Sequence, residues 1–115
     1  MSLDDLLKSL HQEYISALPE KLTKIEQQIQ RQDRDSLRES FHKLKGTGMT
    51  YGLPEVSQVG EVAEDICLQK PAQAIEAAHL ALAILRDIHQ TRAQNKSFDC
   101  LADARFAAIQ KVLQN

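Results

Sequence analysis

Between its corners the chain repeats apolar residues three and four positions apart and nowhere alternates them, so helices packed on helices are what its pattern permits. The corners are short. They are marked by Asp33, by Gly52 with Pro54, by Lys70 with Pro71, and by a polar link over 94–97. With 115 residues, 43% of them apolar, there is material for one domain with one core. Aromatics at 4% and the absence of Trp favour aliphatic helix packing over a sandwich or barrel.

Ser2 caps a first helix, with Asp4 and Asp5 in its opening turn. Leu3, Leu6, Leu10, Tyr14 and Ala17 make its apolar stripe. Beyond that the phase changes, and Ile15, Leu18, Leu22, Ile25 and Ile29 form a second series rotated by about 200°. One straight helix cannot present both, and Pro19 lies where they meet. A break or kink near Ala17 is therefore predicted, with a second helix from there to about Gln32. A third helix opens from the caps in 33–36 and ends at Gly52. A fourth opens at Pro54 and Glu55 and turns Val56, Val59, Ala63 and Ile66 inward. The helix over 71–93 is apolar on two sides, Ile75, Ala78, Leu82 and Leu85 on one and Ala77, Ala81, Ile84 and Ile88 on the other. It needs two partners. The stretch 98–113 places Phe98, Ala102, Phe106, Ile109 and Leu113 at helical spacing and is predicted to be a helix folded back on it. The expected fold is all-α: an antiparallel up-down-up-down four-helix bundle with an additional N-terminal helix and a C-terminal helix, one domain over 1–115.

A net charge of −2 supplies no field that would recruit nucleic acid or acidic lipid. No basic region leads into an apolar run at the N-terminus, and the longest apolar stretch, 77–85, contains His79 and is too short to span a bilayer. Cys67 and Cys100 are far apart, form no metal spacing, and read as small core residues. These features point to a soluble, cytoplasmic, reduced protein that engages neither nucleic acid nor membrane.

One segment carries a cost that the fold does not explain. Residues 42–52 read His-Lys-Leu-Lys-Gly-Thr-Gly-Met-Thr-Tyr-Gly, with Gly46 and Gly48 inside a helix whose flanks are strongly helical. Each glycine costs about 1 kcal/mol relative to Ala. Leu37, Phe41, Leu44, Gly48 and Tyr51 share one narrow sector of the helical wheel, and His42 lies roughly 155° from its middle, facing solvent. Gly46 and Met49 share that outward face, with Arg38, Glu39 and Lys45 at its edges. A neutral imidazole there is a competent nucleophile, and a lysine one turn along disfavours the imidazolium and attracts phosphate oxygens. Gly46 removes the side chain that would hold a partner away from the ring.

These residues resemble the histidine-containing phosphotransfer (Hpt) domains of multistep phosphorelays, whose signature runs His-x-x-Lys-Gly, then small residues, then a large apolar or aromatic residue and a final Gly. His42, Lys45, Gly46, Thr47, Gly48, Tyr51 and Gly52 fill it in order. The resemblance covers about 3–93 and is strongest over 41–67, leaving the terminal helix outside the minimal pattern. It implies a four-helix bundle and a monomeric phosphocarrier, not an enzyme with its own kinase domain. His42 would accept a phosphoryl group from an aspartyl phosphate on one response-regulator receiver domain and pass it to an Asp on another, with a hybrid sensor histidine kinase upstream. No cofactor is expected on this chain, and Mg²⁺ would belong to the receiver. Lys45 would stabilise the phosphoryl charge and Gly46 permit close approach. Met49 and Leu53 would contact the receiver, Glu64 would hold the other imidazole nitrogen, and Arg38 lies near enough to His42 to contribute.

Three other readings compete. Glu39-x-x-His42 and Glu76-x-x-His79 are the motif that di-iron bundles use twice, but the wheel turns His42, Glu39 and Glu76 outward. A helical adaptor with a plain surface histidine would have to explain Lys45 and both glycines in one run. A self-phosphorylating kinase would need Gly-rich phosphate loops, which the sequence lacks. His11, His79 and His89 read as surface, flank and partly buried bundle positions.

Overall fold

The structure, a computed structural model describing residues 2–115, consists of helices and helical turns with no strand among the described residues. Helix α1 spans Leu3–Gln30 and starts at a capping box, in which the Ser2 hydroxyl accepts from the Asp5 N–H and the Asp5 carboxylate accepts from the Ser2 N–H. Of the break or kink predicted near Ala17, the break is absent: α1 stays helical through Pro19, and no second helix starts there. Proline inside a helix costs about 3 kcal/mol through the lost hydrogen bond and the ring clash. What holds the rod together is the second stripe, because Ile15, Leu18, Leu22, Ile25 and Ile29, on both sides of the proline, are all buried. The conflict between stripes disappears because most of the first stays out of the core. Leu3 and Leu6 are 71% and 45% exposed, Ala17 is exposed, Leu10 is half-buried, and only Tyr14 of that series is buried; Leu7 beside them is 53% exposed. The expected separate N-terminal helix is thus the outer half of α1.

Helix α2 spans Arg34–Thr50, its N-terminus capped by Asp33, and α3 spans Pro54–Gln69, with proline in the first turn. A 3-10 turn over Pro71–Gln73 leads into α4, Ala74–Ala93, so the predicted helix from Pro71 begins one turn late. Both apolar sides of α4 are covered, by α1 and α3 and by the terminal helix α5, Ala104–Gln114. The terminal helix is also shorter than the predicted 98–113. Asp99 accepts from the Leu101 N–H over the 3-10 turn Cys100–Ala102, and Asp103 accepts from the N–H groups of Arg105 and Phe106, so α5 can begin only at Ala104. Besides α4, α5 rests on α3.

The pairs α1/α2 and α2/α3 run in opposite senses, as the order of their cross-contacts shows. Between α1 and α2, the His11 ring meets the Tyr51 carbonyl at 2.7 Å, and Tyr14 and Thr47 share a hydrogen bond of 2.8 Å. Further up, the Ser40 hydroxyl donates to Gln28. Between α2 and α3, Gly48 faces Ser57, Lys45 and Phe41 face Gly60, and His42 faces Glu64. At Gly60 the helices touch backbone to backbone: a Cβ there would sit 2.7 Å from the Lys45 nitrogen and 2.8 Å from the Phe41 oxygen. Gly60→Ala is expected to wedge α2 from α3 and cost roughly 1–3 kcal/mol, read as a lower denaturant midpoint at unchanged m-value.

At the other end of α3, Glu55 is 4% exposed in its side chain and Arg92 of α4 16%. They form a two-pronged pair at 2.7 and 2.8 Å, and Glu55 also accepts from the Phe98 N–H. Nearby, burial above all, then the carboxylates of Glu55, Asp103 and Asp99, pushes the Cys100 thiol up to about 12. It stays protonated and donates to the Glu55 carbonyl. This cluster fixes the 94–100 link that brings α5 back over the bundle.

Candidate functional site

α2 owes its inward face to Leu37, Phe41, Leu44 and Gly48, all buried, and that commitment turns His42 out. The His42 side chain is 65% exposed, against 8% for Glu64. His42 Nδ1 lies 2.6 Å from Glu64 Oε2. A carboxylate can only accept, so the Nδ1–H donates to it, and the lone pair is left on Nε2, the nitrogen that faces solvent. Glu64 reaches the ring because it is presented by α3, whose close approach to α2 the glycine contacts at Gly60 and Gly48 permit. Its other oxygen, Oε1, is 3.7 Å from Lys45 Nζ. The Lys45 side chain is 43% exposed and its ammonium loosely held, free to turn toward a charge arriving at Nε2.

Gly46 has open space around it, since a Cβ built there would meet nothing within 4 Å. Packing therefore gives no reason for glycine at this position. Gly48 is the opposite case, with a Cβ that would fall 2.8 Å from the Ser57 nitrogen and 3.0 Å from the Leu53 oxygen. Gly52, at φ +85°, closes α2 in a backbone conformation that side chains resist, under the His11 ring.

A match to a family model now bears on this geometry: the model described as Hpt domain covers residues 9–94. The chain is an Hpt-domain protein. Comparison with curated proteins and with solved structures returned no match. Hpt domains serve histidine phosphotransfer in phosphorelays as phosphocarriers and not kinases, and they interact with receiver and kinase domains. The matched span ends at the close of α4, so α5 lies outside it. Among the described residues no helix is long and apolar enough to cross a membrane.

Within this Hpt domain the residues singled out in the sequence are not all assembled. His42, Lys45 and Glu64 come together, and Gly46 and the 62% exposed Met49 share their outward face. Leu53 does not belong there. It is 0% exposed, drawn into the core as the residue that turns the chain from α2 into α3, so it cannot meet a partner. Arg38 is half-buried and sits where its charge is felt by Cys67 of α3; no hydrogen bond or ion pair joins it to His42 among the described residues. Burial pushes the Cys67 thiol up to about 11 against the pull of Arg38. Glu39, His42, Glu76 and His79 are all exposed, and no cluster of three potential ligands forms among the described residues, so the inward-facing di-iron arrangement has no geometry here.

Two features escaped the sequence reading. His11 is no bland surface residue: it ties α1 to the α2 terminus and, with Leu7, Leu10, Met49, Tyr51 and Gly52, lines an open groove of about 700 Å³. Buried Glu55 looked like an ordinary first-turn acid, and its partner Arg92 stands too far along the chain for any spacing to suggest.

Proposed function

We propose that this protein relays a phosphoryl group between aspartates of receiver domains through His42. The observation that carries the reading is the hydrogen bond of 2.6 Å from Nδ1 to Glu64, which leaves an exposed nucleophilic Nε2. The Nε2 lone pair attacks the phosphorus of an aspartyl phosphate, the N–P bond forms, and the P–O bond to the aspartate breaks, its electrons leaving as carboxylate. No proton has to move. The ring gains positive charge while keeping its Nδ1–H, and the Glu64 carboxylate offsets that charge. Lys45 turns from Glu64 to the phosphoryl oxygens, and Gly46 lets the receiver's reacting carboxylate approach. Donation to a second aspartate is the same sequence reversed.

The docking surface in this reading is the outward face of α2 with Met49, continued onto Leu3, Leu6 and Leu7 of the α1 overhang. Their exposure at one end of the molecule matches a partner more than a solvated surface. Mg²⁺ comes with the receiver, and the chain needs no cofactor of its own. The helices α1 to α4 are read as the up-down-up-down bundle of a single monomeric, cytoplasmic domain, with α5 as an added packing element and a hybrid sensor kinase upstream.

The test is to mix the protein with labelled phospho-receivers and look for acid-labile, base-stable phosphate. Labelling is expected; its absence with every cognate receiver leaves the adaptor reading. In the same assay Gly46→Gln should stabilise α2 by up to about 1 kcal/mol while slowing transfer, because its side chain occupies the approach. Unchanged transfer would remove the role given to Gly46.

A further inference from the structure

Glu64 and Lys45 occupy the α3 flank of His42. On the α1 flank the chemistry is different. Lys21 and Lys24 of α1 and Lys43 of α2 line one groove of about 240 Å³, floored by the buried side chains of Ile25 and Leu44 and edged by Ser40 and Thr47. Lys43, which lines the groove, directly follows His42 on α2. The pairs Tyr14–Thr47 and Gln28–Ser40 bracket it, so Lys21 and Lys24 fall at the height of the turn that carries His42 and Lys43. Lys21 Nζ stands over the Tyr14 ring, 5.8 Å from its centroid.

The Lys and Arg side chains with a side-chain carboxylate within 4.0 Å, among the described residues, are Lys45 with Glu64, Arg86 with Glu26, Arg92 with Glu55, and Arg105 with Asp87 and Asp103. Among the described residues no carboxylate lies within 4.0 Å of the Lys21, Lys24 or Lys43 ammonium, although Glu20 and Glu39 are close in sequence. Three like charges are thus gathered from two helices around an apolar floor, none of them in an ion pair. Such an arrangement gains most when an anionic surface arrives, and it speeds the encounter while screening out partners of the wrong sign.

We propose that Lys21, Lys24 and Lys43 form a cationic docking flank that receives an acidic segment of the receiver domain exchanging phosphate with His42. The inference rests on the relay reading, and it adds to it a determinant of partner choice outside the reacting residues. The flank acts on association and leaves the chemical step at Nε2 untouched.

The test compares two double variants of equal net charge, Lys21→Glu/Lys24→Glu in the groove and Lys96→Glu/Lys111→Glu away from it, by transfer rate from a phospho-receiver at low and high salt. The groove variant is expected to be slower tenfold or more at low salt, converging to within about twofold of wild type at high salt, while the distant variant stays within about twofold throughout. Circular dichroism confirms that both are folded. Equal slowing of the two variants, or no slowing of the first, would overturn the docking flank while leaving the relay in place. If wild type takes up no phosphate, the relay reading fails instead.

Discussion

His42→Gln should abolish phosphoryl uptake from a phosphorylated receiver and leave the protein folded. Glutamine keeps a polar side chain of similar reach but has no nucleophilic lone pair on its amide nitrogen, so no N–P bond can form. The stability cost should be about 1 kcal/mol or less, because the ring is 65% exposed and its loss removes one hydrogen bond, to Glu64. Glu64 retains Lys45 nearby, which limits the penalty of leaving a shielded carboxylate. Label retained by the variant would place the phosphate on another residue and end the assignment. Cooperative unfolding lost in the variant would mean that His42 is structural.

Arg92→Met is expected to cost about 3–5 kcal/mol at pH 7, the largest stability effect of any substitution outside the apolar core. It leaves the Glu55 carboxylate, 4% exposed, without its two-pronged partner. Burial alone would raise the Glu55 pKa. The hydrogen bonds from Arg92, from its own N–H and from the Phe98 N–H, with the guanidinium charge, outweigh that and hold it below the ordinary glutamate range. The sign follows. A depressed folded pKa contributes stability that is fully present above the unfolded value, about 4.3, and is lost as pH falls through the folded value. The gap between wild type and Arg92→Met in denaturant melts should therefore be widest at neutral pH and narrow in acid, where the stranded Glu55 of the variant protonates. A gap independent of pH would show that Arg92 stabilises by packing alone. Removing both partners, as Glu55→Leu/Arg92→Met, should recover part of the loss.

The N-terminal half of α1 shows where pattern reading stopped. Two stripes and a proline argue for a break or kink, and the helix is not broken. A break is needed only if both apolar stripes face the core, and Leu3 and Leu6 of the first do not. Leu53 differs in the opposite direction: it is expected as a receiver contact, yet the turn it occupies carries it inside. Asp103 shortened the terminal helix because a side-chain cap outweighed a continuous apolar period.

The sequence by itself determined the helical class, the corners at Asp33, Gly52–Pro54 and Lys70–Pro71, and the outward aim of His42, because each depends on interactions within a turn or two of chain. Tertiary structure decided what depends on register between helices. It bonded the His42 ring to Glu64, put Gly60 against Phe41 and Lys45, drew Glu55 and Arg92 into one buried pair, and gathered three lysines on one flank. Helix spacing records which way a residue points along its own axis. Which residue it meets is fixed only when close-packed faces lock the helices at one height, and that information is spread over the whole core.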